Sequence, residues 1–287
     1  MDVGFMQGRL SNLVNGKIQS FPWVSWKDEF SIAQKIGIHV MEWTLDQDQL
    51  YENPLLTSSG QTQIRELCGR YEVSIHSLTG DCFMQAPLWK KNGATIAALK
   101  KDFLAIVEAC SQVGIKMVVV PLVDNGRIES MEQENALVDF LLSQANFFKS
   151  RRIRIIFECD FAPRELARFI NRLPVDTFGI NYDIGNSAAL GYSVLEEFAA
   201  YGERIFNVHV KDRILGGTTV PLGTGNAQFE IVFSELARLG YMGKFILQTA
   251  RATDDNHSKT LCRYRDMTLS WMAKAGLPAA KYSIETK

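Results

Sequence analysis

Eight short apolar runs recur along the chain, each followed by a longer amphipathic stretch, and this alternation restricts the fold to a parallel sheet built from βα units. The runs are Val3–Met6, Val40–Trp43, Val73–His76, Met117–Pro121, Ile153–Glu158, Gly179–Asp183, Phe206–Val210 and Phe245–Gln248. Helical patterns lie near 26–36, 59–71, 92–113, 130–150, 163–172, 194–202, 228–239 and 258–275. Gly37, Gly114, Gly240 and Gly276 follow four of them, at the position where a helix end favours a left-handed residue. Eight units can close into a barrel or open into a doubly wound sheet. No Gly-rich dinucleotide fingerprint follows the first run, so the expected fold is an α/β (β/α)8 barrel. With 287 residues, 46% hydrophobic, and no Pro/Ser-rich linker, one domain over 1–287 is expected.

Charge narrows the partners. Lys and Arg number 31 against 32 Asp and Glu, so no global field attracts nucleic acid or an anionic membrane, and a small molecule becomes the expected partner. Five cysteines without a CxxC pair read as reduced thiols. The opening MDVGFMQGRL lacks the basic and apolar regions of a secretory leader, and the apolar run at Met117–Val123 is too short to span a bilayer. A soluble cytoplasmic protein is expected, with homo-oligomer formation left open.

Four consecutive runs end in a potential metal ligand: Glu158, Asp183, His209 and Gln248, separated by 25, 26 and 39 residues. Barrel enzymes place their chemistry at the C-terminal ends of the strands, and a closed barrel would gather these side chains there. A charged group ending a buried strand must be paired or bound to a cation, because desolvating it alone is costly. Two carboxylates, an imidazole and an amide oxygen suit one divalent ion, Mn²⁺, Mg²⁺, Co²⁺ or Zn²⁺. The plain alternative for each, taken singly, is a salt-bridged or solvated side chain.

Lys211 shares strand parity with His209 and is a candidate for holding a substrate oxygen; the alternative is a surface lysine. His76, read as the end of strand three, is a candidate donor to a substrate hydroxyl or a satisfied core histidine. Glu42, at the end of strand two, is ambiguous in the same way. Arg9 and Arg251 follow the first and last strands and could take a carboxylate or phosphate through their guanidinium forks; the alternative for either is a surface arginine. The glycines of LGGTTVPLGTG, Gly216 to Gly225, could bring backbone N–H groups to an anion, or form a mobile loop.

At Tyr182-Asp183-Ile184-Gly185-Asn186, Val208-His209-Val210-Lys211-Asp212 and Val220-Pro221-Leu222-Gly223-Thr224-Gly225, followed by Phe229-Glu230, the chain resembles the xylose isomerase-like TIM barrels. These include sugar and sugar-phosphate epimerases, hydroxypyruvate isomerase, inosose dehydratase and endonuclease IV, and the motif order looks most like the ribulose-phosphate epimerase branch. The resemblance implies that Glu158, Asp183, His209 and position 248 hold the metal, and that the two outer ligands act as acid and base. Gln248 stands where the family has glutamate, and an amide cannot take up a proton. The expected reaction is therefore proton abstraction next to a carbonyl through an enediolate, with Glu158 as base and Lys211 and His76 polarising oxygens. Arg9, Glu42 and Arg251 would contact a sugar or sugar phosphate. Same-face return of the proton, as in aldose–ketose isomerisation, needs only one base. The alternatives are a metal-dependent dehydratase of a keto-polyol and a non-catalytic sugar-binding barrel. A multi-zinc nuclease would need more ligands than four histidines and one acidic cluster supply.

Overall fold

A computed structural model describes residues 1–279. Eight parallel strands close into a barrel: β1 (Val3–Met6), β2 (Val40–Thr44), β3 (Ser74–Thr79), β4 (Met117–Leu122), β5 (Arg154–Cys159), β6 (Phe178–Asp183), β7 (Ile205–Val210) and, after a small hairpin, β10 (Lys244–Leu247). The hairpin consists of β8 (Asp212–Arg213) and β9 (Thr219–Val220), paired antiparallel. β1 pairs with both β2 and β10, which closes the ring. The eight-unit alternation in the sequence thus gives the (β/α)8 architecture expected of it.

The helices are α1 (Asp28–Lys35), α2 (Ser58–Tyr71), α3 (Asp81–Gln85), α4 (Gly93–Val113), α5 (Met131–Ser150), α6 (Pro163–Ile170), α7 (Ile184–Leu190), α8 (Val194–Tyr201), α9 (Phe229–Arg238) and α10 (His257–Lys274). Eight of them match the sequence pattern. The short helices α3 and α7, which follow β3 and β6 directly, were not anticipated. Gly37, Gly114, Gly240 and Gly276 all take positive φ, as their positions past helix ends require. No helix among the described residues is long and apolar enough to cross a membrane.

Outside the barrel wall, a continuous core joins strands to helices. Phe5, Phe30, Phe103, Phe148, Phe157, Phe169, Phe178, Phe233 and Phe245 are all fully buried in it. Inside the barrel, two small apolar groups, Met6 with Val40 and Ile246, and Met117 with Val119 and Ile156, lie apart from that core.

Above them the interior turns polar. Glu42, with no exposed surface, accepts Thr79 Oγ1 (2.5 Å) and His209 Nε2 (2.7 Å) at one oxygen, and Ser77 Oγ (2.5 Å) and Asn207 Nδ2 (3.0 Å) at the other. Four donors on one buried carboxylate remove the penalty it would otherwise carry. This network also corrects the boundary of strand three. Ser77 and Thr79 interrupt the apolar run because they face the Glu42 carboxylate, so the strand continues to Thr79 and His76 lies near its start rather than its end.

Candidate metal centre

β5, β6 and β7 are neighbours in the barrel, and their C-terminal ends carry Glu158, Asp183 and His209. One ligand atom from each lies within 4.8 Å of the others, and all three residues are buried. His209 Nδ1 is 3.0 Å from Glu158 Oε2 and 3.9 Å from Asp183 Oδ2. These three residues form a cluster able to hold a metal ion.

Each is fixed by further bonds. The opposite ring nitrogen of His209 meets Glu42 at 2.7 Å, an arrangement in which a carboxylate orients an imidazole and raises its basicity. Burial alone would lower the His209 pKa, yet Glu42 and Glu158 on either side raise it to about 10. Asp183 caps α7 by accepting the Asn186 backbone N–H at 2.8 Å, and its other oxygen accepts Lys211 Nζ at 2.7 Å. Glu158 accepts Asn186 Nδ2 (2.6 Å) at Oε1 and Asn181 Nδ2 (3.2 Å) at Oε2. Burial works to raise its pKa, but His209 and Lys211 hold it below the usual carboxylate range, so it is ionised at neutral pH.

Gln248, just past β10, donates to Gln19 Oε1 at 2.9 Å, while its own Oε1 is buried without a hydrogen-bond partner among the described residues. An orphaned carbonyl oxygen in such a place fits a role as a further ligand for a cation. Lys211 reaches the cluster as strand parity suggested. Gly185 makes room for it: a Cβ there would lie 2.7 Å from Lys211 Cγ.

A cavity of about 750 Å³ opens over the cluster at the C-terminal ends of the strands. Glu158, Lys211 and Gln248 line it, joined by Gln19, Asp81, Arg127, Asp160, Asn186 and Arg213. Arg213 donates to Asn186 Oδ1 at 2.8 Å and to the Gly217 carbonyl, and Arg127 pairs with Asp160 at 2.6 Å. Asn186 stood within a motif noted in the sequence. Asp81 lies five residues beyond His76, the strand end expected from the sequence, and Arg213 directly follows the Val208–Asp212 motif, so neither belongs to a feature the sequence marks.

Several expected substrate contacts are elsewhere. His76 lines a different cavity, of about 430 Å³, with Met117, Ile205 and Gly243 from the N-terminal ends of the strands, so it faces the opposite end of the barrel. Glu42 lies beneath His209, sealed from the cavity. Arg9 donates to the carbonyls of Thr249 (3.0 Å) and Ile18 (2.9 Å) and to Gln19 Oε1 (3.3 Å); Arg251 donates to the carbonyls of Ile18 (3.1 Å) and Ser11 (2.5 Å). Both arginines tie the first loop to the segment after the last strand and do not line the cavity. The glycine loop is also committed internally. Asp212 accepts the backbone N–H groups of Gly223 (2.8 Å), Gly225 (2.9 Å) and Ala227 (3.1 Å), taking the place an external anion would have had. A Cβ at Gly225 would sit 2.3 Å from that carboxylate.

Comparison with known proteins agrees with this architecture. The chain is 36% identical over 104 residues to L-ribulose-5-phosphate 3-epimerase UlaE of Salmonella paratyphi A, a match covering 36% of this chain and only 37% of that relative. Against UlaE of Escherichia coli strain SMS-3-5 / SECEC, identity is 24% over 266 residues, 89% of this chain and 93% of the relative. Among solved structures, IOLI protein with a binding zinc atom superposes with a TM-score of 0.74 at 18% identity, covering 96% of this chain and 99% of that one. L-ribulose 3-epimerase gives 0.74 at 12% identity, covering 96% of each chain. At such identities the structural likeness shows the fold alone. The sequence model of the xylose isomerase-like TIM barrels matches residues 30–266, and the chain belongs to that family.

Proposed function

We propose that this chain is a divalent-metal-dependent isomerase or epimerase of a sugar or sugar phosphate, working by removal of a proton next to a carbonyl. The observation that carries the reading is the meeting of Glu158, Asp183 and His209 at the floor of a cavity large enough for such a substrate. The named relatives are epimerases, and a solved neighbour holds zinc, which supports both the substrate class and the metal. Glu158, Asp183, His209 and the carbonyl oxygen of Gln248 would hold the ion. When bound, it supplies Lewis acidity that makes the α-proton of a carbonyl compound more acidic.

Glu158 is the base. It is ionised, lines the cavity, and is held in orientation by Asn181 and Asn186. The C–H proton passes to its carboxylate and the electron pair enters the substrate as an enediolate. Lys211, its ammonium fixed on Asp183, donates to a substrate oxygen that gains negative charge.

The test combines metal analysis of the purified protein with NMR in D2O on pentoses, hexoses and their phosphates, L-ribulose 5-phosphate among them. Deuterium is expected to enter an α-position. Glu158→Gln should keep a bound ion while turnover falls about 10²- to 10⁴-fold, the usual contribution of a general base. Normal turnover in Glu158→Gln removes the base assignment. Loss of one water from the product would show dehydration instead.

A further inference from the structure

The amide at position 248 leaves Glu158 without the opposing carboxylate that inversion at carbon requires. The cavity nevertheless contains a second carboxyl group. Asp81 opens α3 immediately past β3 and is 6% exposed, and it lines the same cavity as Glu158 and Gln248. Its Oδ2 accepts Gln19 Nε2 at 2.7 Å, and Gln19 Oε1 in turn accepts Gln248 Nε2 at 2.9 Å. Three side chains thus form a fixed row along the cavity wall: carboxyl, amide, amide. The order of donors matters. Gln248 gives its N–H to Gln19 Oε1, which turns Gln19's own amide hydrogen onto Asp81 Oδ2. The metal ligands come from β5, β6 and β7, whereas Asp81 stands on the β3 side, with β4 between.

We propose that Asp81 is a catalytic residue, the second proton-transfer group of this site, doing what Gln248 cannot. The assignment rests on the reading that Glu158 abstracts an α-proton. In the forward direction the C–H bond breaks, Glu158 gains an O–H bond, and the electron pair enters the enediolate. Asp81 in its acid form then breaks its O–H bond and delivers that proton to the other face of the same carbon, where the enediolate pair forms the new C–H bond. Glu158 ends protonated and Asp81 ionised, which is the starting state for the reverse reaction. Exchange with water resets both groups. Removal by Glu158 on one face and delivery by Asp81 on the other produce inversion, so this assignment makes the reaction an epimerisation, whereas a lone Glu158 returns the proton to the face it left.

Burial raises the Asp81 pKa; Gln19 offsets this in part, and the charges of Asp46 and Glu158 add to it, giving about 7. Acid and base forms therefore coexist at neutral pH, the condition under which a group serves in either direction.

Asp81→Asn is the variant of choice, because the new amide oxygen still accepts from Gln19; an unchanged melting temperature confirms the fold. Protein loaded with Mn²⁺ is given L-ribulose 5-phosphate in D2O, followed by the sugar panel. The expected result is a split: Asp81→Asn retains solvent exchange at the reacting carbon within about threefold, while inversion falls about 10²- to 10⁴-fold. The limb near pH 7 disappears from the rate profile, and Asp81→Glu recovers part of the inversion. Inversion at the wild-type rate in Asp81→Asn overturns the assignment, as does equal loss of exchange and inversion. Isomerisation without inversion in the wild type also overturns it. If the wild-type protein incorporates no deuterium into any sugar, the proposed function fails and takes this assignment with it; exchange in the wild type with Asp81→Asn unaffected removes the assignment alone.

Discussion

Glu42→Gln isolates the contribution of a group that never touches substrate. The carboxylate receives four donors, two at each oxygen, at 2.5 to 3.0 Å. An amide of the same shape keeps one acceptor but turns an NH2 group towards the other two donors. If that NH2 faces Ser77 and Asn207, the serine hydroxyl can rotate to accept, but the Asn207 amide hydrogen loses its partner. One buried donor left unsatisfied costs about 1–3 kcal/mol, which lowers the melting temperature of a chain this size by roughly 2–12 °C. The larger consequence falls on His209, whose Nε2 would lose a charged partner for a neutral one. Changing the group behind a metal-bound histidine weakens metal binding by about 10- to 100-fold. Circular dichroism melting and Zn²⁺ competition against a chromophoric chelator read the two effects separately. Metal affinity within about twofold of wild type, in a folded variant, would refute the claim that Glu42 prepares His209 as a ligand.

Glu29 gives a prediction in pH. It accepts the N–H groups of Gly8 and Leu10, yet burial raises its pKa from 4.5 to about 7. Between those values the folded chain binds a proton that the unfolded chain does not, so unfolding free energy should fall by about 3 kcal/mol as pH rises through this window. Urea titrations at successive pH values measure it, and Glu29→Gln should lack this component of the slope. Gly185→Ala should push Lys211 from Asp183, because the new Cβ meets Lys211 Cγ at 2.7 Å and Cδ at 2.8 Å. Loss of about tenfold or more in kcat/KM with little change in melting temperature is expected, and steady-state kinetics beside thermal denaturation would check it.

The barrel was legible because its strands are buried on both sides and read as continuous apolar runs, and because glycines mark several helix ends. Glu158, Asp183 and His209 were legible for a related reason: a polar residue closing an apolar run is conspicuous. The same rule misplaced His76. Ser77 and Thr79 look like the beginning of a loop, whereas they are inward donors to a carboxylate 35 and 37 residues away in sequence. The arginines were misread because their partners are backbone carbonyls, which leave no trace in side-chain identity; Arg9 reaches Thr249, 240 positions along the chain. Asp81 lay two residues beyond the true end of β3, where a strand ended too early could not direct attention.

Arg9 and Arg251 clamp residues 11 and 18 to the chain beyond β10, and Gln19 lies next to the clamp. A segment of that length left free would have to be immobilised each time a ligand entered the cavity, with an entropic loss for every residue ordered. Pinned at two points by guanidinium groups, it enters the cycle already in place. The rim of this barrel on its first-strand side is therefore built as masonry rather than as a door, its shape set during folding.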